Sequence, residues 1–103
     1  MHLEPHRDDR GFFSRAFCDK EFAELGLTNN MVQTNICRTF EKGILRGMHY
    51  QDNGHEESKF VRCISGRIFD VIIDLRKGSD TYCKWLGVEL SSGDFKAVVL
   101  PEG

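Results

Sequence analysis

The amino-acid sequence predicts an all-β sandwich or barrel. Short runs rich in apolar and β-branched residues recur at close spacing along the 103 residues. Between them stand turn-forming clusters: Asp8-Asp9-Arg10-Gly11, Ser65-Gly66, Gly78-Ser79-Asp80 and Ser91-Ser92-Gly93-Asp94. Only one segment carries helix signals. Many short strands divided by Gly-rich turns are the signature of sandwich and barrel architectures.

The elements follow in order. After the turn at Asp8–Gly11, the residues Phe12, Phe13 and Phe17 predict a first strand. Asp19 to Leu25 reads as the helix. Asp19 is placed to cap its first amides, Phe22 and Leu25 to share a face, and Gly26 to end it. Met31 to Phe40 reads as a strand in which Val32 alternates with Gln33 and Asn35. Gly43 then breaks to a strand over Ile44–Gln51. Asp52 to Glu57 is a polar loop. Lys59–Ile64 and Arg67–Leu75 flank Ser65-Gly66, which reads as a hairpin turn. The near-continuous apolar run from Ile68 to Leu75 suits a strand covered on both faces. Trp85–Leu90 and Phe95–Leu100 complete the set. No repeat, linker or low-complexity tract interrupts the chain, so residues 1–103 are read as a single domain.

Composition narrows the function classes. Hydrophobic residues make up 40% and charged residues 29%, the balance of a globular protein that presents a polar surface to water. A net charge of −2 gives no reason to expect nucleic acid or an anionic membrane as partner. No apolar run approaches the roughly 20 residues that span a bilayer. The start, Met1-His2-Leu3-Glu4-Pro5, lacks the basic and apolar regions of a signal peptide. A cytoplasmic location is therefore expected. Cys18, Cys37, Cys63 and Cys83 are too far apart for a C-x-x-C pair or a zinc site, and are read as reduced thiols serving as small hydrophobes.

The chemistry concentrates at Leu45-Arg46-Gly47-Met48-His49-Tyr50-Gln51, with Lys59 shortly after. A histidine titrates near neutral pH and can take a proton as general base. An arginine can grip a phosphate bidentately. A lysine can stabilise an enolate. Taken singly, His49 and Arg46 each read better as structural residues, and Lys59 as a solvated surface lysine. A metal site of H-x-H type is broken because Gln51 stands two after His49. His55, Glu56 and Glu57 read as a solvated loop, so no metal is expected. Phe12, Phe13, Phe17, Phe22 and Phe40 could stack on a base or sugar, but read as core. Asp70 and Asp74 fall on one face of a strand and invite an acid–base reading. Carboxylates on the polar face of a sheet are the plainer explanation.

Taken together, the runs resemble the nucleotide-sugar epimerase family typified by dTDP-4-dehydrorhamnose 3,5-epimerase. They are Asp9-Arg10-Gly11-Phe12-Phe13, Val32-Gln33-Thr34-Asn35, Leu45 to Gln51, Lys59-Phe60-Val61-Arg62, Gly66 to Val71, and Asp74-Leu75-Arg76. Gly78-Ser79, Thr81-Tyr82, Leu90-Ser91 and Pro101-Glu102-Gly103 follow in order. The resemblance covers about residues 8 to 103. It implies a jelly-roll cupin fold whose C-terminal strands are missing here, a homodimer with shared strands, and no metal or organic cofactor. It implies epimerisation at C3 and C5 of a dTDP-4-keto-6-deoxy sugar.

Carried over, His49 is the base and Lys59 holds the enolate oxygen or its surroundings. Arg46 binds the diphosphate or polarises the ketone. Arg10, Gln33 and Asn35 contribute to substrate binding, and Phe13 lies near the nucleotide. In the family a tyrosine returns the proton and an aspartate partners the histidine, both from the segment after the Pro-Glu-Gly run. Tyr50, Tyr82 and Asp70 do not match those positions. Two further departures are Arg15, where the family has a glutamate, and Cys37, where it has a serine. A carboxylate at position 15 can accept a hydrogen bond from thymine; arginine only donates. The alternative reading is a non-catalytic module that keeps the sugar-nucleotide pocket without the acid. A sandwich without its last strands exposes sheet edges, which are expected to pair with a second copy.

Overall fold

The computed structural model describes residues 1–27 and 30–103. Among these residues six strands and one helix form: β1 (Pro5–Asp8), β2 (Gly11–Ser14), α1 (Asp19–Glu24), β3 (Lys59–Arg62), β4 (Arg67–Ile73), β5 (Trp85–Ser91) and β6 (Ala97–Leu100). The residues fall into two compact units, Met1–Ala16 with Gln51–Gly103, and Phe17–Tyr50.

The first unit holds all six strands. β1 and β2 make an antiparallel hairpin with Asp8 opposite Gly11 and Pro5 opposite Ser14. The Asp8 carboxylate ties the turn by accepting from the Arg10 amide at 2.9 Å and from its guanidinium. Gly11 adopts φ +132°, a conformation open to glycine and strained for other residues. The turn was legible, but its first arm was not. Pro-His-Arg-Asp carries no apolar alternation, and Pro5 sits where proline is tolerated, at the first residue of a strand. The predicted first strand ends at Ser14 and does not reach Phe17.

β4 pairs with β5, Arg67 opposite Ser91 and Ile73 opposite Trp85. β3 pairs with β6, Lys59 opposite Leu100 and Arg62 opposite Ala97. The outer pair brackets the inner one in sequence. A hairpin folded over on itself in this nested way is the all-β jelly-roll pattern. It corrects one expectation: Ser65-Gly66 does not close a hairpin. β3 and β4 belong to different sheets, and Gly66, at φ +77°, turns the chain from one to the other while its carbonyl accepts from the Ser92 amide at 3.1 Å. On its other edge β6 is joined by the N-terminus: Met1 and Ala97 exchange two backbone bonds of 3.0 Å.

The core is small. Leu90 and Ala97 are buried in this unit, and no residue of β4 is. The apolar run in β4 is therefore not covered on both faces. Phe69 is 66% exposed and Trp85 67% exposed. Phe69 and Gly87 share a face, and the ring lies over the bare glycine backbone, where a Cβ would come within 2.4 Å of its tip. Between β4 and β5, Asp74 gathers Arg76, Ser79 and Thr81. Its carboxylate accepts from the Arg76 amide and guanidinium, from Ser79 Oγ at 2.7 Å and from Thr81 Oγ1 at 2.6 Å. These bonds, the Arg76 guanidinium foremost, hold the Asp74 carboxyl far below the usual carboxylate range. Asp74 is thus a turn-builder.

The second unit contains α1. Cys18, not Asp19, is the N-cap, and Asp19 instead supplies negative charge to the first turn. The C-terminus closes in a Schellman motif: the Leu27 amide donates to the Phe22 carbonyl and the Gly26 amide to the Ala23 carbonyl. Phe22 is buried and packs edge-on against Phe17, ring centres 4.8 Å apart. Leu25 does not share its burial. Phe12, Phe13, Phe17 and Phe40, read as core, are exposed.

Neither Met31–Phe40 nor Ile44–Gln51 is a strand. Their alternation suits one, but a strand exists only against a partner ladder. No described strand pairs with these residues, and Val32, Ile36 and Leu45 point into open space. All four cysteines are free, with Cys37 and Cys83 exposed and so not core hydrophobes.

Candidate active site

The predicted site residues divide between the two units. Gln33, Asn35, Arg46 and His49 lie in the second; Arg10, Phe13 and Lys59 lie in the first. Within the second, Gln33 Nε2 donates to Asn35 Oδ1 at 3.3 Å, so the two amides present a joined polar edge. Arg46 and His49 bracket Gly47. Gly47 has φ +114°, and a Cβ placed there would stand 3.4 Å from Nδ1 of His49. The bare glycine leaves the imidazole room to fold back along the chain. Both His49 and Arg46 are exposed.

Arg46 is held by neutral groups. Its Nε donates to Thr39 Oγ1 at 3.2 Å and its Nη2 to the Arg38 carbonyl at 3.3 Å. Other arginines are neutralised by carboxylates: Arg10 by Asp8, Arg76 by Asp74, and Arg67 by Glu89. No described carboxylate pairs with Arg46. Its charge remains uncompensated, the state in which a guanidinium attracts an anion.

In the first unit, Arg10 and Phe13 line one groove of about 460 Å³ on the β1–β2 hairpin, with His6, Arg7, Asp8 and Phe12. Arg10 holds Asp8 with Nε and Nη2, the edge it would otherwise offer to a ligand. Asp8 is correspondingly pushed below the usual carboxylate range, chiefly by that guanidinium. Arg7 lies over the Phe95 ring at 5.2 Å. Lys59 opens β3 and does not line this groove. It is half-buried, and its Nζ pairs with Glu57 at 3.0 Å. Asp70 leaves one buried carboxylate oxygen without a partner among the described residues.

Sequence reasoning missed the supports rather than the actors. Thr39 and Gly47 seat Arg46 and His49, and His6 and Arg7 complete the hairpin groove. Gly47 could have been suspected, since glycine is the residue that most readily takes a positive φ. Thr39 sits seven residues before Arg46 with no local signal linking them. Among the described residues, no cluster of three or more His, Cys, Asp or Glu is placed to hold a metal, and no helix is long and apolar enough to cross a membrane.

Comparison with known proteins converges on one family. The whole chain, residues 1–103, matches the family described as dTDP-4-dehydrorhamnose 3,5-epimerase. A relative of that name from Shigella flexneri is 44% identical over 97 residues, covering 93% of this chain and 53% of the relative. A crystal structure of the Bacillus anthracis enzyme of that name, with TDP and pyrophosphate bound, superposes with a TM-score of 0.96. It is 37% identical and covers 99% of this chain and 58% of the other. The Legionella pneumophila dTDP-6-deoxy-D-glucose-3,5-epimerase, in complex with dTDP-4-keto-L-rhamnose, gives 0.91 at 40% identity, covering 99% of this chain and 54% of the other. The chain spans about half the length of the relatives it matches.

Proposed function

The chain belongs to the dTDP-4-dehydrorhamnose 3,5-epimerase family, and from that premise we propose that it epimerises C3 and C5 of a dTDP-4-keto-6-deoxy sugar. The observation that carries the proposal is the family match over all of residues 1–103. The Legionella relative, bound to dTDP-4-keto-L-rhamnose, supports the substrate class.

The chemistry follows from the ketone. C3 and C5 both flank C4, so a proton lost from either leaves its electron pair delocalised onto the C4 oxygen as an enolate. In this reading His49 takes the proton through its free imidazole. Lys59 leaves Glu57 and supplies positive charge to the enolate oxygen. Arg46 binds the diphosphate. Gln33 and Asn35 offer an amide edge to the sugar. Arg10 and Phe13 serve the nucleotide end, Phe13 by stacking. Return of a proton to the opposite face inverts the centre. No residue among these 103 is assigned as the acid that returns it. The reaction exchanges protons only, so as proposed it needs no redox cofactor, and the ketone itself makes the C–H bonds acidic.

The proposal includes assembly and place. Residues 1–103 act as one cupin-like domain working as a homodimer in the cytoplasm. Unpaired stretches such as Met31–Phe40 offer edges on which a second copy could add.

The test is incubation with the dTDP-4-keto-6-deoxy sugar in deuterated water. Label at C3 or C5 supports the reading. Bound ligand without label contradicts it and leaves a binding module.

A further inference from the structure

We infer that Thr39 is a positioning residue for Arg46: with the Arg38 carbonyl, it occupies one edge of the guanidinium so that the opposite end is the fork that receives the diphosphate. The inference rests on the epimerase reading and specifies how its anion is gripped.

A guanidinium can meet an anion in two bidentate ways. One uses the Nε–H and the neighbouring Nη2–H along its side; the other uses Nη1–H and Nη2–H at its end. In Arg46 the side edge is taken, Nε by Thr39 Oγ1 at 3.2 Å and Nη2 by the Arg38 carbonyl at 3.3 Å. Both Nη1 hydrogens and the second Nη2 hydrogen remain, and one from each nitrogen makes the end-on fork. The two acceptors are neutral, so they orient the group without cancelling its charge. Arg10 shows the opposite arrangement: the same edge is taken by the Asp8 carboxylate, which neutralises it.

Orientation matters here because Arg46 is exposed and its side chain is long. An arginine free to rotate loses conformational freedom when an anion arrives, whereas one already pinned at two points loses less. Thr39 therefore pre-organises the fork.

The experiment measures thymidine diphosphate binding by calorimetry to the wild-type chain and to T39V, T39S, R46A and R46A/T39V. Circular dichroism and thermal midpoint monitor folding. T39V keeps the side-chain shape and removes the acceptor; T39S keeps the acceptor. T39V is expected to weaken binding about tenfold, the order that loss of one charge-assisted hydrogen bond produces. T39S should stay within about twofold of wild type. In the R46A background T39V should add nothing, since its effect passes through Arg46. Wild-type-like binding by T39V, or an equal loss on adding T39V to R46A, overturns the inference and leaves the epimerase reading standing. A wild-type chain that does not bind thymidine diphosphate overturns both.

Discussion

Leu86 and Leu90 share one face of β5 four residues apart, yet their surroundings differ completely. Leu90 is 0% exposed and sits opposite Ile68; Leu86 is 62% exposed and sits opposite Ile72. Truncating each to alanine turns that contrast into a measurement. L90A leaves a cavity and should cost about 3 kcal/mol. L86A removes atoms that are mostly in water already, and should cost about 1 kcal/mol or less. For a domain of about 100 residues, 1 kcal/mol moves the midpoint by roughly 4–8 °C. Thermal denaturation followed by circular dichroism should therefore place L90A at least about 12 °C below wild type, with L86A within about 8 °C. Equal losses would contradict the burial contrast between the two leucines. They would mean that Leu86 is as deeply covered as Leu90 and that packing within the chain does not set the stability of this sheet.

Two further outcomes follow from the same geometry. Asp74 has its folded-state pKa lowered from an ordinary value of 3.8 by the Arg76 guanidinium, Thr81 and Ser79. Its contribution is then fully present above about pH 3.8 and lost as the pH falls below it. D74N should melt below wild type at pH 7, and the gap should shrink as the pH is taken from 5 toward 2; a gap independent of pH contradicts the assignment. G47A forces an L-residue into φ +114° and sets a methyl 3.4 Å from the His49 ring. Solvent exchange into the substrate should fall at least tenfold, about the effect of 1–3 kcal/mol of backbone strain, and unchanged exchange would show that Gly47 does not seat the base.

What the sequence made legible was local. Turn residues at Asp8–Gly11 and Gly78–Asp80, the helix stop at Gly26, and the runs that became β4, β5 and β6 all announce themselves within a few residues. Strand partnership is not local. Ser65-Gly66 looks like a hairpin turn by composition, and only the pairing of β3 with β6 across the intervening hairpin shows that it switches sheets. Met31–Phe40 has the alternation of a strand but no described neighbour to bond with, so its pattern says what it could pair as, not that it pairs. The same holds for Phe12, Phe13 and Phe40. Their apolar character is plain in the sequence, while the covering surface that would bury them is not present among the described residues. At the site, His49 and Arg46 were visible as chemistry. Their seats were not, because the Thr39–Arg46 bond is a meeting of side chains from two separate stretches.

The most direct test of the central claim is solvent deuterium incorporation at C3 and C5 of the dTDP-4-keto-6-deoxy sugar, run in parallel on wild type and H49N, with thymidine diphosphate binding measured for both. Wild type should incorporate label and H49N should lose it, with binding unchanged within about threefold. Label that persists in H49N would contradict it, because the proton would then be leaving to another base.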